Sequence, residues 1–211
     1  MALALALYTR LIRHRSLYRT LYYLPTITPM VAVAFVWKFM YDPQFGLLNQ
    51  VLGTKINWLF DARYAMSAIL LLTVWKDFGY AVGILLGGLY SLPADCYEAA
   101  EMDGANGWQV LTRVKLPMIM PSITICTFLT LTNSFKLFDQ NLALTGGLPS
   151  IIQNGAKFNQ TELLALNIYS TYNINKNWHG VAQAKAVIFF ILVAVLAIAQ
   201  QTATRRKEVQ Q

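Results

Sequence analysis

Four long apolar stretches, separated by polar and turn-rich segments, organise the 211-residue chain. A helix needs about 20 mostly apolar residues to cross about 30 Å of hydrocarbon. Residues 20–37, 116–135 and 186–204 carry no charged side chain, and 64–94 is interrupted only by the adjacent pair Lys76 and Asp77. These patterns predict membrane spans over about 20–40, 65–92, 117–137 and 183–203. The expected fold class is an all-α integral membrane protein: a multi-span helical bundle with four complete transmembrane helices, forming a single transmembrane domain over 1–211. Pro25, Pro29, Pro117 and Pro121 mark kinks or helix starts, which a membrane tolerates where neighbours satisfy the freed carbonyls. Gly79, Gly83, Gly87 and Gly88 put small residues on one face of the second span, a pattern that favours close helix packing. The opening MALALALY is apolar but too short to span, and lacks the cationic start and cleavage site of a signal peptide. It reads as the tail of a helix.

Composition agrees with the pattern. Hydrophobic residues make up 56% and charged residues 13%, against about 45–50% and about 25% in soluble chains. A net charge of +7 raises the question of nucleic acid, but the cations lie in short clusters beside the spans. Arg10, Arg13, Arg15 and Arg19 precede the first, Arg113 and Lys115 lie between the second and third, and Arg205, Arg206 and Lys207 follow the fourth. An even number of crossings separates the clusters, so all three face the cytoplasm together under the positive-inside rule. Segments 41–63 and 139–185 then face outside, with Trp37, Tyr41, Trp58 and Trp178 in an aromatic belt. The partner this implies is the lipid bilayer, not nucleic acid. Cys96, Cys126, His14 and His179 are isolated and suggest neither a metal site nor catalysis, and no HExxH or GxSxG motif occurs.

Two groups of residues carry candidate chemistry. In the cytoplasmic segment 95–116, Asp95 is a plausible N-cap and Glu98 and Glu101 follow in the first turns, where acids complement the helix dipole. Gly104 offers a bend, and 105–113 a second short helix ending near cations, so a helix–turn–helix at the membrane surface is expected. Lys76, Asp77, Asn133, Lys136 and Asp139 lie within or at the edges of spans. Ionisable groups there are costly and mark either a substrate pathway or paired charges. Lys136 and Asp139 have the spacing to pair on one helical face, and Lys76 and Asp77 to neutralise partners on other helices.

The cytoplasmic segment also resembles a known family. Glu98-Ala99-Ala100, three residues, Gly104, nine residues and Val114-Lys115-Leu116-Pro117 look like the EAA loop of binding-protein-dependent ABC transporter permeases, with Val114 replacing the usual isoleucine. Asp103-Gly104-Ala105 extends the match. Residues 17–49, the segment FDQNLALTGG (138–147) and the closing residues 179–200 resemble the carbohydrate-importing branch, of maltose, lactose and glycerol-phosphate type. The family's core has six spans, so the resemblance implies a chain truncated at its front, with MALALALY ending the second family helix. A truncated, non-transporting fragment is therefore the alternative to a sugar-importing permease; a membrane-embedded enzyme is the weaker one.

The resemblance implies a division of labour. No GxxxxGK[ST] phosphate loop is present, so ATP and Mg are expected on a separate ATPase dimer, with no cofactor on this chain. Glu98, Ala99, Ala100, Asp103, Gly104, Ala105, Leu116 and Pro117 form the expected coupling loop. A second permease subunit and an extracytoplasmic solute-binding protein docked on 41–63 and 139–185 complete the expected assembly, placed in the cell membrane of a prokaryote.

Overall fold

The apolar stretches become helices, but not all of them are straight. The computed structural model describes residues 1–8, 13–174 and 176–205; Arg10, Arg206 and Lys207 of the basic clusters lie outside the described residues, as does the side chain of Arg205. The helices are α1 (Ala2–Tyr8), α2 (Arg15–Ile27), α3 (Met30–Met40), α4 (Leu47–Leu52), α5 (Ala65–Tyr90), α6 (Ala94–Met102), α7 (Gly107–Met118), α8 (Met120–Phe135), α9 (Asp139–Leu144), α10 (Leu164–Ile174) and α11 (His179–Arg205). By length and composition, α5 and α11 each suffice to cross a membrane, and the count rises to four if each of two bent helix pairs is one span.

The bend in each pair falls within one of the expected spans, close to a proline that marks a kink. The stretch over 20–40 is not one helix: α2 and α3 meet at 101°. Pro29 is the N-cap of α3 (φ −55°, ψ 135°), and a residue before proline disfavours the helical region, which stops α2 short of Thr28. The stretch over 117–137 opens on a 64° bend between α7 and α8, at Ile119 (φ −91°, ψ 7°), two residues before Pro121. The helical fold also carries one small β element. Ser150–Gln153 and Ala156–Asn159 form an antiparallel hairpin, β1 and β2, with Ile151 opposite Phe158. Its turn is Asn154-Gly155, with φ of 52° and 75°, the doubly left-handed turn whose twist matches the two strands.

The chain divides into two compact units. Unit 1 gathers Met1–Leu24, Phe78–Thr132 and Val193–Gln211; unit 2 gathers Pro25–Asp77 and Asn133–Leu192. The core of unit 1 packs Ala4 and Leu7 of α1 against Val82, Leu85, Leu86 and Leu89 of α5, with Ile119. Here the small-residue face of α5 meets its expected use. A Cβ on Gly79 would collide with the backbone carbonyl of Tyr22 in α2, and one on Gly88 with the Ser122 hydroxyl of α8. The core of unit 2 packs Val33, Ala34, Trp37 and Tyr41 against Ala68, Ile69 and Leu72 of α5, together with Leu59 and Leu144. The buried Tyr41 hydroxyl donates to the Ala68 carbonyl at 2.7 Å, so its polar tip is satisfied inside an apolar cluster.

The segment 41–63 of unit 2 is tied down by one side chain. Asn49 is buried; its Nδ2 donates to the Ile56 carbonyl at 2.8 Å. Its Oδ1 accepts from Thr54 Oγ1 at 3.1 Å, Ile56 N at 3.2 Å and Trp58 Nε1 at 2.9 Å. Before it, Asp42 Oδ1 accepts from the N–H groups of Gln44 and Phe45 at 2.8 and 2.9 Å. The Phe45 and Gln44 bonds hold the Asp42 carboxyl below the usual carboxylate range.

Candidate functional site

The segment 95–116 is built as a helix–turn–helix in unit 1, from local signals alone. Pro93 is the N-cap of α6 (φ −61°, ψ 133°) and brings no side-chain cap. Asp95, expected as the cap, sits instead in the first turn, where its charge complements the dipole. At the other end Gly104 adopts φ 83°. The N–H of Gly104 donates to the Glu101 carbonyl and that of Ala105 to the Ala100 carbonyl, both at 3.0 Å. This pairing closes a helix on a left-handed glycine and satisfies its orphan carbonyls. One residue on, Asn106 opens α7 through a reciprocal capping box. Its Oδ1 accepts from Gln109 N, and Gln109 Oε1 accepts from Asn106 N, both at 2.9 Å. The second helix therefore begins at Gly107 rather than at 105, and it continues past Arg113 to Met118.

A π-helical turn over Val110–Lys115 carries α7 into Leu116-Pro117. Proline lacks an N–H and crowds the carbonyl four residues before it, here Arg113. A wider turn at that point relieves both problems without ending the helix. Leu116 packs on the core of unit 1 beside Ile119, and Leu92, just before α6, packs on the same core, so the loop is anchored just outside α6 and again at its far end.

The loop presents its chemistry outward. None of the residues of α6 is buried; Glu98, Ala99, Glu101, Asp103 and Gly104 are exposed, and Ala100, Ala105, Leu116 and Pro117 half-buried. Met102 is 89% exposed and Trp108 72%, so the two largest apolar side chains near the turn face away from the fold. Asp95, Glu98, Glu101 and Asp103 concentrate negative charge in a chain of net +7. A notch of about 380 Å³ lies between the helices, lined by Ala100, Asp103, Gly104, Ala105, Gln109 and Arg113.

The membrane-embedded polar candidates separate into two situations, both in unit 2. Lys76 is half-buried, and its Nζ donates to the Thr26 carbonyl at 3.1 Å while Thr26 Oγ1 donates to the Lys76 carbonyl at 2.8 Å. The ammonium thus serves the last turn of α2, where orphan carbonyls and the negative helix end favour a cation. Its neighbour Asp77 is also half-buried. Asn133, Lys136 and Asp139 are exposed and sit together where α8 gives way to α9. Lys136 and Asp139 do not share a helical face: α8 ends at Phe135 and α9 begins at Asp139.

Two polar clusters escaped the sequence reading. Lys185, near the start of α11, donates from Nζ to Asn167 Oδ1 at 2.8 Å and Thr171 Oγ1 at 2.7 Å, both on α10. The signal was the Asn167–Thr171 spacing of four, which puts both acceptors on one face. In unit 1, Arg19 donates to the Tyr90 hydroxyl and lies 5.1 Å from that ring's centre. Lys115 Nζ sits 5.3 Å from the Tyr8 ring and 4.5 Å from that of Tyr97. No spacing announces this cluster, because its members come from five helices.

Comparison with known proteins follows the geometry. Residues 1–209 match the family described as binding-protein-dependent transport system inner membrane component. A probable starch degradation products transport system permease protein of Thermoanaerobacterium thermosulfurigenes is 37% identical over 206 residues, covering 97% of this chain and 68% of that protein. A trehalose/maltose transport system permease protein of Thermococcus litoralis is 31% identical over 202 residues, covering 94% and 65%. The chain spans about two thirds of the length of these curated relatives. A bacterial ABC transporter involved in the import of the acidic polysaccharide alginate has the same fold, with a TM-score of 0.81 at 22% identity over 97% of this chain and 71% of that one. A bacterial alginate transporter in complex with an alginate pentasaccharide-bound periplasmic protein gives a TM-score of 0.80 at 22% identity, over 97% and 70%.

Proposed function

This chain belongs to the family of binding-protein-dependent transport system inner membrane components, and from that premise we propose that it lines the path of an ATP-driven importer of sugars or oligosaccharides. The relatives named for starch degradation products and for trehalose and maltose support that substrate class. In this reading a second permease completes the path and an extracytoplasmic solute-binding protein delivers the solute, for which the alginate transporter in complex with a periplasmic protein is a precedent. ATP and Mg²⁺ belong to a separate ATPase dimer. The basic residues 13–19, the loop 95–116 and the C-terminus face the cytoplasm of a prokaryotic cell.

The observation that carries the coupling role is α6 itself. A nine-residue helix with no buried side chain is too short to be stable on its own in water. It is nonetheless closed at Gly104 and followed at once by a capped second helix that leads into the core through Leu116. Such a piece transmits displacement from a partner seated on α6 to the spans. Glu98 pairs with a basic residue of the ATPase, Ala99 and Ala100 allow close approach, and Gly104 with Asp103 and Ala105 sets the angle between the helices. Rocking of the bundle between two access states follows as rigid-body gating. Asn133, Lys136 and Asp139 are the better candidates for solute contact, since Lys76 is engaged with Thr26.

The test is co-purification with candidate ATPases, comparing the native chain with Glu98→Lys and Gly104→Pro. Proline is incompatible with the φ of 83° at that position. Association retained by the native chain and lost in both variants is the expected result. Undiminished association in both variants overturns the coupling assignment.

A further inference from the structure

The cation–tyrosine cluster of unit 1 does something that orientation of the chain in the membrane does not require. Arg19 and Lys115 sit on a shared aromatic platform: Arg19 on Tyr90, Lys115 on Tyr8, with the two rings 5.4 Å apart. The Nε of Arg19 is shielded from solvent and has no hydrogen-bond partner, an expensive state for a guanidinium donor. Among the described residues, neither cation has a carboxylate partner.

Below Arg19 runs a groove of about 290 Å³, lined by Arg19, Tyr22, Gly79, Gly83, Leu86 and Tyr90. Its polar mouth is at Tyr90, the last residue of α5, and its floor is open at Gly83 and Gly87, where an added Cβ would meet nothing closer than 3.8 Å, while Gly79, packed on the Tyr22 backbone, closes its far end. From Tyr90 to Gly79 is eleven residues, about 16 Å along a helix. That is about half of the 30 Å hydrocarbon thickness, the depth of one leaflet. A charged mouth at the interface above an apolar floor of leaflet depth has the shape of one amphiphile. Basic pockets on the cytoplasmic side are suited to anionic head groups, and a guanidinium binds phosphate with its fork.

We propose that Arg19, with Lys115 across the Tyr8–Tyr90 ring pair, and the groove along Gly83 and Gly87 hold one anionic phospholipid: its phosphate on Arg19 in the field of both cations and one acyl chain on the glycine face of α5. Lys115 also touches α6 through the Tyr97 ring, 4.5 Å from its Nζ, whereas the groove itself is lined by α2 and α5 alone.

Native mass spectrometry of the purified full chain, titrated with dioleoylphosphatidylglycerol or dioleoylphosphatidylcholine, tests it. One retained phosphatidylglycerol per chain is expected, preferred at least tenfold over phosphatidylcholine. Arg19→Gln should reduce that preference to twofold or less, and Gly83→Leu, which fills the floor but keeps both charges, should lower retention of phosphatidylglycerol at least fivefold. If Arg19→Gln does not fold, Gly83→Leu decides alone. Equal retention of the two lipids by the native chain overturns the proposal, as does a preference that survives Arg19→Gln or a retention that survives Gly83→Leu. Displacement of the lipid by millimolar inorganic phosphate would assign the cations to a free anion and overturn it too. So would an efficient disulfide between Gly83→Cys and a companion permease chain, which would place a helix in the groove.

Discussion

Replacing Gly79 by alanine puts the packing of unit 1 to a quantitative test. A Cβ there meets the Tyr22 carbonyl, with the carbonyl carbon at 2.6 Å and Tyr23 Cα at 3.1 Å. The obstacle is the backbone of α2, not the end of a flexible side chain. The two helix segments must separate by about 1.5 Å to restore ordinary contact, and overpacking of this kind costs about 1–3 kcal/mol. Alanine's greater helix preference returns up to about 1 kcal/mol. At Gly87, eight residues along the same helix, nothing lies within 4 Å of the added atom, so only the propensity gain remains. The propensity term is common to both, so the two substitutions should differ by the overpacking cost alone, about 1–3 kcal/mol. At about 2–4 °C per kcal/mol for a chain of this size, Gly79→Ala should unfold about 2–12 °C below Gly87→Ala. Thermal unfolding of both purified variants in the same detergent, followed by far-ultraviolet circular dichroism, reads the difference. Midpoints within 1 °C of each other would refute the close approach of α2 and α5.

Other expectations follow from the polar ties. Asn49→Ala strips the Thr54, Ile56 and Trp58 donors of their acceptor, which costs about 1–3 kcal/mol per buried group left unpaired; limited proteolysis should cut within 41–63 where the native chain resists. The turn at Asp42 should respond to acid. Its carboxyl is held below the usual range, so the stabilisation is present above the ordinary carboxylate pKa and fades as pH falls through the lowered value; faster amide exchange at Gln44 and Phe45 on acidification, beyond the intrinsic pH trend, would show it. Lys185→Met keeps the side-chain length but loses two charge-assisted bonds to α10, each worth about 1.5–3 kcal/mol; faster hydrogen exchange in α10 is the expected readout, and unchanged protection would mean that apolar contacts alone hold it. Gly104→Ala forces a side chain into the left-handed region at a cost of about 1–2 kcal/mol, which should fray the end of α6 in exchange measurements without lowering the unfolding temperature of the core.

The features legible in the sequence were those with strong local signals. Long apolar runs located α5 and α11 to within a few residues of their ends, although Lys76 and Asp77 interrupt the first and Lys185 the start of the second. The spelling around Glu98 and Gly104 gave the helix–turn–helix, since a left-handed glycine and an Asn106–Gln109 capping box are decided within a few residues. The bend at Pro29 was foreseen as a kink but not in its size; proline marks where a helix stops, not the direction the next one takes. The hairpin was overlooked although Asn154-Gly155 is a strong turn dipeptide, because its strands are only four residues long and sit in a polar segment. The π turn before Pro117 had no spelling of its own. Lys185 was counted with the outer segment because its partners lie 14 and 18 residues away, and the Arg19–Tyr90 contact, 71 residues apart in sequence, depends wholly on tertiary packing.

The absence of any buried residue in α6 bears on how mutations in this chain sort themselves. A core position answers to its own neighbours, so a bad substitution there removes the protein from the membrane before any task is attempted. Positions 94–102 answer to no neighbour within a core of their own chain. A mutational scan that counts surviving protein should pass over them almost without a mark, while one that counts transported solute should find them among the least tolerant. Where the two scans part company, they would trace the footprint of the ATPase proposed above residue by residue, with no structure of the complex required.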